Sequence, residues 1–162
     1  MSDLLMKMPL AYEPLKQNRF LLRFPADLGI QEWFCVSAKR PGIKQTSVEI
    51  PFLNTSTYVV GRYTWDEIQV TLRDPIGPSA SQAIMEWVRL HAESVTGRMG
   101  YAAGYMRDVE LCMLDPTGVV VQLWILKNAF PTKADFGNLS YAQDDLAEIT
   151  MTLRPQYCIL CY

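Results

Sequence analysis

The stretch Cys158-Ile159-Leu160-Cys161 comes nearest, in residue type and spacing, to a chemical site. Two cysteines set two residues apart can hold zinc or work as a dithiol. A structural zinc site needs four ligands, and the chain otherwise offers only Cys35, Cys112 and the single histidine, His91, all scattered. A reactive dithiol draws its low pKa from a helix amino terminus, and no helical pattern follows Cys161. Neighbouring carboxylates occur at Asp66-Glu67 and Asp144-Asp145, but such pairs are usually solvated and no pocket-forming pattern surrounds them. The small-residue segment Gly97–Gly104 lacks the Gly-Lys-Ser/Thr ending of a phosphate loop, and no dinucleotide fingerprint occurs. The expectation is a protein without catalytic residues, cofactor or metal.

The bulk properties bound the alternatives. A chain of 162 residues, 49% apolar and 20% charged, is long enough for one domain burying roughly 70% of its unfolded surface. The formal net charge of −2 argues against a surface built to grip nucleic acid or anionic lipid. The greasiest run, Val119–Leu126, is strand-length and holds Gln122, so no membrane anchor is expected. Leu4–Met8 is too short for a signal-peptide core. A cytoplasmic start, with the four cysteines as free thiols, is therefore expected.

What would position any functional face is a set of strands and one helix. Residues 1–17 read as an apolar arm (Leu4, Leu5, Met6, Met8, Leu10), docked on its own domain or on a neighbouring subunit. Strands are expected at Asn18–Phe24, Gln31–Ala38, Glu49–Asn54, Thr57–Arg62 and Thr64–Arg73. The last alternates Ile68, Val70 and Leu72 against Glu67, Gln69, Thr71 and Arg73, which gives one dry and one wet face. Pro75 and Pro78 end it. In Ser79–Ala92 the period changes: Ala80, Ala83, Ile84, Trp87, Val88 and His91 form one helical stripe, with Ser79 as N-cap. His91 reads as a packing residue. Strands follow at Asp108–Leu114 and Val119–Phe130, joined by Asp115-Pro116-Thr117-Gly118, a type I turn. A polar loop, Pro131–Asp144, precedes a final strand, Asp145–Arg154, and an apolar tail over 155–162.

One strand recurs. Glu67-Ile68-Gln69-Val70-Thr71-Leu72-Arg73 returns as Glu148-Ile149-Thr150-Met151-Thr152-Leu153-Arg154, identical at five of seven positions. Chance likeness between amphipathic strands is one explanation. The other is that two strands offer the same wet face to the same polar surface, their dry faces sharing a core with the helix. A sheet covered on one side leaves edges that must be blunted, covered or paired with a neighbour.

In its order of features the chain resembles the tail-tube proteins of contractile-tailed bacteriophages, over residues 18–154. The series runs Asn18-Arg19-Phe20, Cys35, Lys39-Arg40-Pro41-Gly42, Val48-Glu49-Ile50-Pro51 and Tyr58-Val59-Val60-Gly61. It continues with Thr64-Trp65, Val70-Thr71, Asp74, Trp87 and Glu148–Leu153. The resemblance implies a mainly β, α+β fold: an antiparallel β-barrel or sandwich with one flanking α-helix. It implies homohexameric rings, four strands per subunit joining into an inner barrel of about 24 strands, about 115 Å around and about 37 Å across. The rings would stack into a virion tail tube that conducts double-stranded DNA and tape-measure protein without binding them. Sheath and baseplate tube-initiator proteins would be its partners, and the host cytoplasm its place of assembly. Glu67, Gln69, Thr71, Glu148, Thr150 and Thr152 would face the lumen. The segment Gly42–Tyr63 would be a hairpin reaching an adjacent ring, with Thr55, Ser56 and Thr57 at its tip. Tyr58, Val59, Val60 and Gly61 would lie at the interface, Gly61 allowing close approach or a bulge. Arg73 and Arg154 would sit at strand ends, paired with acids across a subunit or ring boundary.

A tube initiator at the baseplate or a type VI secretion ring would use the same domain. A monomeric ligand-binding β-barrel, closed within one chain, is the reading of another class.

Overall fold

The computed structural model describes residue 9 and residues 11–162. The arm residues Leu4, Leu5, Met6, Met8 and Leu10 lie outside the described residues. Nine strands follow in order: β1 (Phe20–Arg23), β2 (Cys35–Ala38), β3 (Ile43–Phe52), β4 (Thr55–Trp65), β5 (Ile68–Arg73), β6 (Arg107–Leu114), β7 (Val120–Asp135), β8 (Glu148–Arg154) and β9 (Tyr157–Leu160). Helix α1 (Ala80–His91) and a single turn, α2 (Ala102–Tyr105), lie between β5 and β6.

Seven strands form one antiparallel sheet in the order β1-β6-β7-β8-β5-β2, with β9 alongside β7; among the described residues β3 and β4 pair only with each other. The sixteen-residue β7 joins two halves. Up to Ala129 it pairs with β6, and from Phe130 to Asp135 it pairs with β8. The corner lies at Asn128, whose φ of 51° is left-handed, a conformation asparagine tolerates better than branched residues. Asp108 holds it, accepting from Asn128 N and Lys127 Nζ, both at 3.1 Å. These bonds, the backbone one foremost, keep the Asp108 carboxyl below its ordinary pKa.

The dry faces meet α1. Ile68, Val70 and Leu72 of β5 and Ile149, Met151 and Leu153 of β8 share one core with Phe34, Ala80, Ile84 and Trp87. Helix α1 starts where Ser79 Oγ accepts from Gln82 N at 3.3 Å, as its sequence requires. Trp87 satisfies its buried indole by donating to Tyr105 O at 2.8 Å, which ties α2 to α1. His91 packs edge-on against Tyr105, ring centroids 5.3 Å apart.

Several expected boundaries move, each for a physical reason. The expected strand Thr64–Arg73 is two strands, because Thr64 and Trp65 pair with Lys44 and Ile43 at the base of the hairpin. The chain then breaks at Asp66-Glu67, where Asp66 N donates to Gly42 O at 2.9 Å. Pro131 does not start a loop: β7 has left β6 by then, and a register shift accommodates the missing donor. Asp145–Ala147 stay outside β8, which begins at Glu148. The expected tail contains β9, paired with β7 from Trp124 to Lys127. The turn after β6 forms as read, with Asp115 accepting from Thr117 N, Thr117 Oγ1 and Val119 N. The sheet does not close: β1 and β2 are unjoined ends, so within one chain the barrel is open.

Leu153→Ala removes a fully buried side chain and is expected to cost ~2–5 kcal/mol in urea unfolding. Asp108→Asn should weaken the corner by at most about 1 kcal/mol, since the pair is exposed. Because the folded carboxyl has the lower pKa, its contribution is complete above the usual carboxylate value of about 4 and is lost as pH falls below it. Unfolding curves of wild type and Asp108→Asn should therefore converge in acid.

A candidate assembly surface

Four strands, β2, β5, β8 and the second half of β7, carry the polar face opposite the core. Register sets Gln69 beside Thr152, Thr71 beside Thr150 and Arg73 beside Glu148. The partner ladder adds Lys133 beside Thr152 and Asp135 beside Thr150, and β2 adds Ser37 beside Thr71. Lys133 and Asp135 fall in the expected polar loop Pro131–Asp144, so the sequence pattern does not place them on this face. Gln69, Thr71, Glu148, Thr150 and Thr152 thus share one outward face. Glu67 is exposed but lies in the link before β5, off the ladder.

The recurring strand explains its own charges. Its two copies are β5 and β8, hydrogen-bonded to each other in antiparallel register, Ile68 opposite Leu153 and Arg73 opposite Glu148. Antiparallel pairing of two like sequences brings the first position of one against the last of the other. The glutamate that opens β8 is therefore the ladder neighbour of the arginine that closes β5. Arg154 stands opposite Phe130, half-buried, at the other end.

The hairpin β3–β4 stands apart, and nearly every one of its residues is exposed. A two-stranded ribbon is at best marginally stable alone in water. Val48 faces Val59, Ile50 faces Thr57 and Phe52 faces Thr55, so an apolar row runs along one side. Tyr58 and Val60 lie on the opposite side, across from Glu49 and Ser47. Gly61 sits at a register shift, where a Cβ would lie 2.6 Å from Thr46 Oγ1. Close approach and bulge are both real there. The tip is Leu53-Asn54, immediately before the expected Thr55, Ser56 and Thr57, all three of which lie in the ladder. Leu53 is 89% exposed with φ 51°, a conformation costing a leucine roughly 1–2 kcal/mol.

Both flanks of the four-stranded polar segment are free. Among the described residues β2 pairs only with β5, and β7 beyond Ala129 pairs only with β8. A cleft of about 530 Å³ opens between the sheet's two ends, lined by Asn18 and Phe20 on one side and Val36 and Arg40 on the other.

The paired cysteines take a different geometry from either chemistry considered for them. Cys158 is in β9 and points into the core, while Cys161 is exposed just beyond it, its N–H donating to Leu123 O at 2.8 Å. Three residues of extended chain put their Cα atoms about 10 Å apart, beyond disulfide reach. Burial pushes the Cys158 thiol up to about 11. Cys35 also rises to about 11, burial outweighing the opposing charge of Arg73.

No protein-family model and no curated protein matches the chain. Solved structures do match its fold. The tube-terminating cap of the anti-feeding prophage superposes with a TM-score of 0.75 at 17% identity, covering 94% of each chain. The sheath–tube complex of an extracellular contractile injection system, PVC, in its extended state gives 0.72 at 16% identity, over 93% of each chain. The anti-feeding prophage baseplate gives 0.63 at 12% identity, over 92% of this chain and 96% of that one. The chain has the tube-protein fold: mainly antiparallel sheet with one principal helix.

In the native protein a maleimide at neutral pH should label Cys161 first. Cys112 and Cys158, both buried, should react only on unfolding, as mass spectrometry of labelled peptides would record.

Proposed function

We propose that copies of this chain close into rings of six that form the inner tube of a contractile tail or contractile injection system. One observation carries the reading. The polar four-stranded segment has a free edge on each side, and its strands alternate in direction. Because four is even, the outer strands β2 and β7 run oppositely. A head-to-tail ring can then join β2 of one copy to β7 of the next, antiparallel like every other pair, leaving no edge open. Six is the number implied by the tail-tube resemblance, and the matching baseplate structure is described as six-fold symmetrised. An enzymatic role finds no support in the matched structures, which are tube, cap and baseplate assemblies.

In that ring the face bearing Gln69, Thr71, Glu148, Thr150 and Thr152 lines the lumen. Lys133 and Arg73 bring positive charge to it, balanced by Asp135 and Glu148. Such a wall offers phosphate little net attraction, so duplex DNA could pass without the salt-dependent grip that a basic lumen would exert. A phage tail tube ejecting DNA, with sheath, tape-measure and baseplate-initiator partners, is the form of the proposal taken from the sequence. Assembly would then precede release of the virion from the host cytoplasm. The exposed apolar row of β3–β4 serves contacts to neighbouring copies.

A second reading, a ring that ends a tube, is favoured by the fold match to a tube-terminating cap. The closed ligand-binding barrel fits less well, because the sheet is open and its inner side is filled by Phe34, Ile84 and Trp87.

Negative-stain imaging and native mass spectrometry test the ring. Six-membered rings or hollow rods are expected, rods marking a tube and rings without rods a terminator. A monomer at every concentration tried would defeat the proposal. Ala38→Pro removes a donor on the free side of β2, since Lys39 N already bonds Gln69 O and alternate residues face opposite edges. It should leave a folded monomer by circular dichroism and abolish rings.

A further inference from the structure

A second cleft, of about 440 Å³, lies where the base of the hairpin meets the corner of β7 and the turn from β8 to β9. Its walls are aromatic: Tyr63 and Trp65 from β4, Phe130 from β7 and Tyr157 from β9, with Arg154 and Gln156 among them. The volume is that of a small-molecule site, ~300–1,000 Å³.

The walls are held by contacts of their own. Trp65 packs edge-on against Trp124, ring centroids 6.5 Å apart, and Phe130 against Tyr105 at 5.5 Å. Gln156 N donates to Lys127 O at 3.0 Å, and Asn128 Nδ2 donates to Gln156 Oε1 at 2.6 Å. The cleft is therefore preformed, and filling it costs little ordering of the protein.

Its polar side chains are left as donors. The bond from Asn128 occupies the Gln156 carbonyl oxygen, so the amide hydrogens on Nε2 remain to be given. Arg154 has only donors and is half-buried. The ion pairs among the described residues are Arg19–Glu13, Arg23–Glu32, Arg107–Asp27 and Lys127–Asp108, so Arg154 is in none of them. Nor do acids of the adjoining segments neutralise it. Asp108 serves Lys127 and Asn128 N. Asp66 is turned to Gly42, where an added Cβ would lie 2.9 Å from its Oδ2. Glu67, in the link before β5, also joins no ion pair. A half-buried guanidinium in an aromatic cleft, with no counter-charge, suits a carboxylate, which it holds through two parallel bonds.

We propose that this cleft binds a carboxylate carried beside an aromatic ring, the ring against the aromatic walls and the carboxylate on Arg154 and Gln156. A free aromatic acid and the aromatic carboxyl end of a partner polypeptide share that chemistry. The site is complete within one chain, so it goes beyond the ring reading and does not rest on it.

Tryptophan fluorescence of the full chain, with Trp65 in the wall, tests the site. N-acetylphenylalanine should give a saturable change with a Kd of roughly 0.1–1 mM. N-acetylphenylalaninamide, which keeps the ring and loses the charge, should bind about tenfold more weakly. Arg154→Gln should weaken the acid about tenfold and erase its advantage over the amide, with Arg154→Lys between. Gln156→Ala, at an exposed position, should weaken the acid several-fold and tests the same cleft should Arg154→Gln fail to fold by circular dichroism. Lys133→Gln, outside the cleft, should change nothing. A peptide ending in phenylalanine that binds tenfold more tightly than phenylacetate assigns the site to a polypeptide end; equal affinities assign it to a free acid. Equal wild-type affinity for acid and amide, an acid affinity unchanged in folded Arg154→Gln, or no saturation by about 10 mM ligand would overturn the site and leave the ring reading untouched.

Discussion

Backbone N–H and C=O groups at the rim of a sheet must bond to something, and most of this molecule is arranged around where they can do so. Among the described residues β6, β8 and β5 have a neighbouring strand on both sides, whereas β1, β2 and the second half of β7 have one on a single side. The hairpin β3–β4 is an extreme case, a ribbon whose two outer edges meet no other strand among the described residues. Short edges can be left to water. A four-stranded segment free on both flanks, beside an apolar ribbon, is what the proposed ring would close.

The core makes that surplus tolerable. Helix α1 covers the dry side of β5 and β8 through Ala80, Ile84 and Trp87, so the subunit can fold before it assembles. The corner at Asn128 then lets one strand serve two halves. Before it, β7 belongs with β6 and β9; after it, β7 belongs with β8 and turns an unpaired flank outward. Asp108, anchored to both Lys127 and Asn128, holds the bend from the neighbouring strand. A local hydrogen-bond arrangement thus determines which edge remains available.

The polar face carries Lys133 and Arg73 against Asp135 and Glu148, so its charges sum to zero. Threonine and glutamine dominate its centre, and its one ladder pair of opposite charges is Arg73 beside Glu148. The pairing of β5 with β8 sets Glu148 beside Arg73, because two like strands laid antiparallel bring the start of one to the end of the other.

What the amino-acid sequence determined by itself was local: the dry and wet sides of β5 and β8, the stripe and cap of α1, and the Asp115–Gly118 turn. Each depends on residues a few positions apart, where periodicity and turn preference act directly. The close approach at Gly61 was legible for the same reason, though its partner Thr46 was not. Tertiary structure alone decided that the two like strands pair with each other. It also decided that Pro131 lies within β7, that Leu53 rather than Thr55 caps the hairpin, and that Cys158 and Cys161 point apart. Those outcomes depend on which distant segment supplies the hydrogen bonds, and side-chain polarity specifies a face without specifying the neighbour beside it.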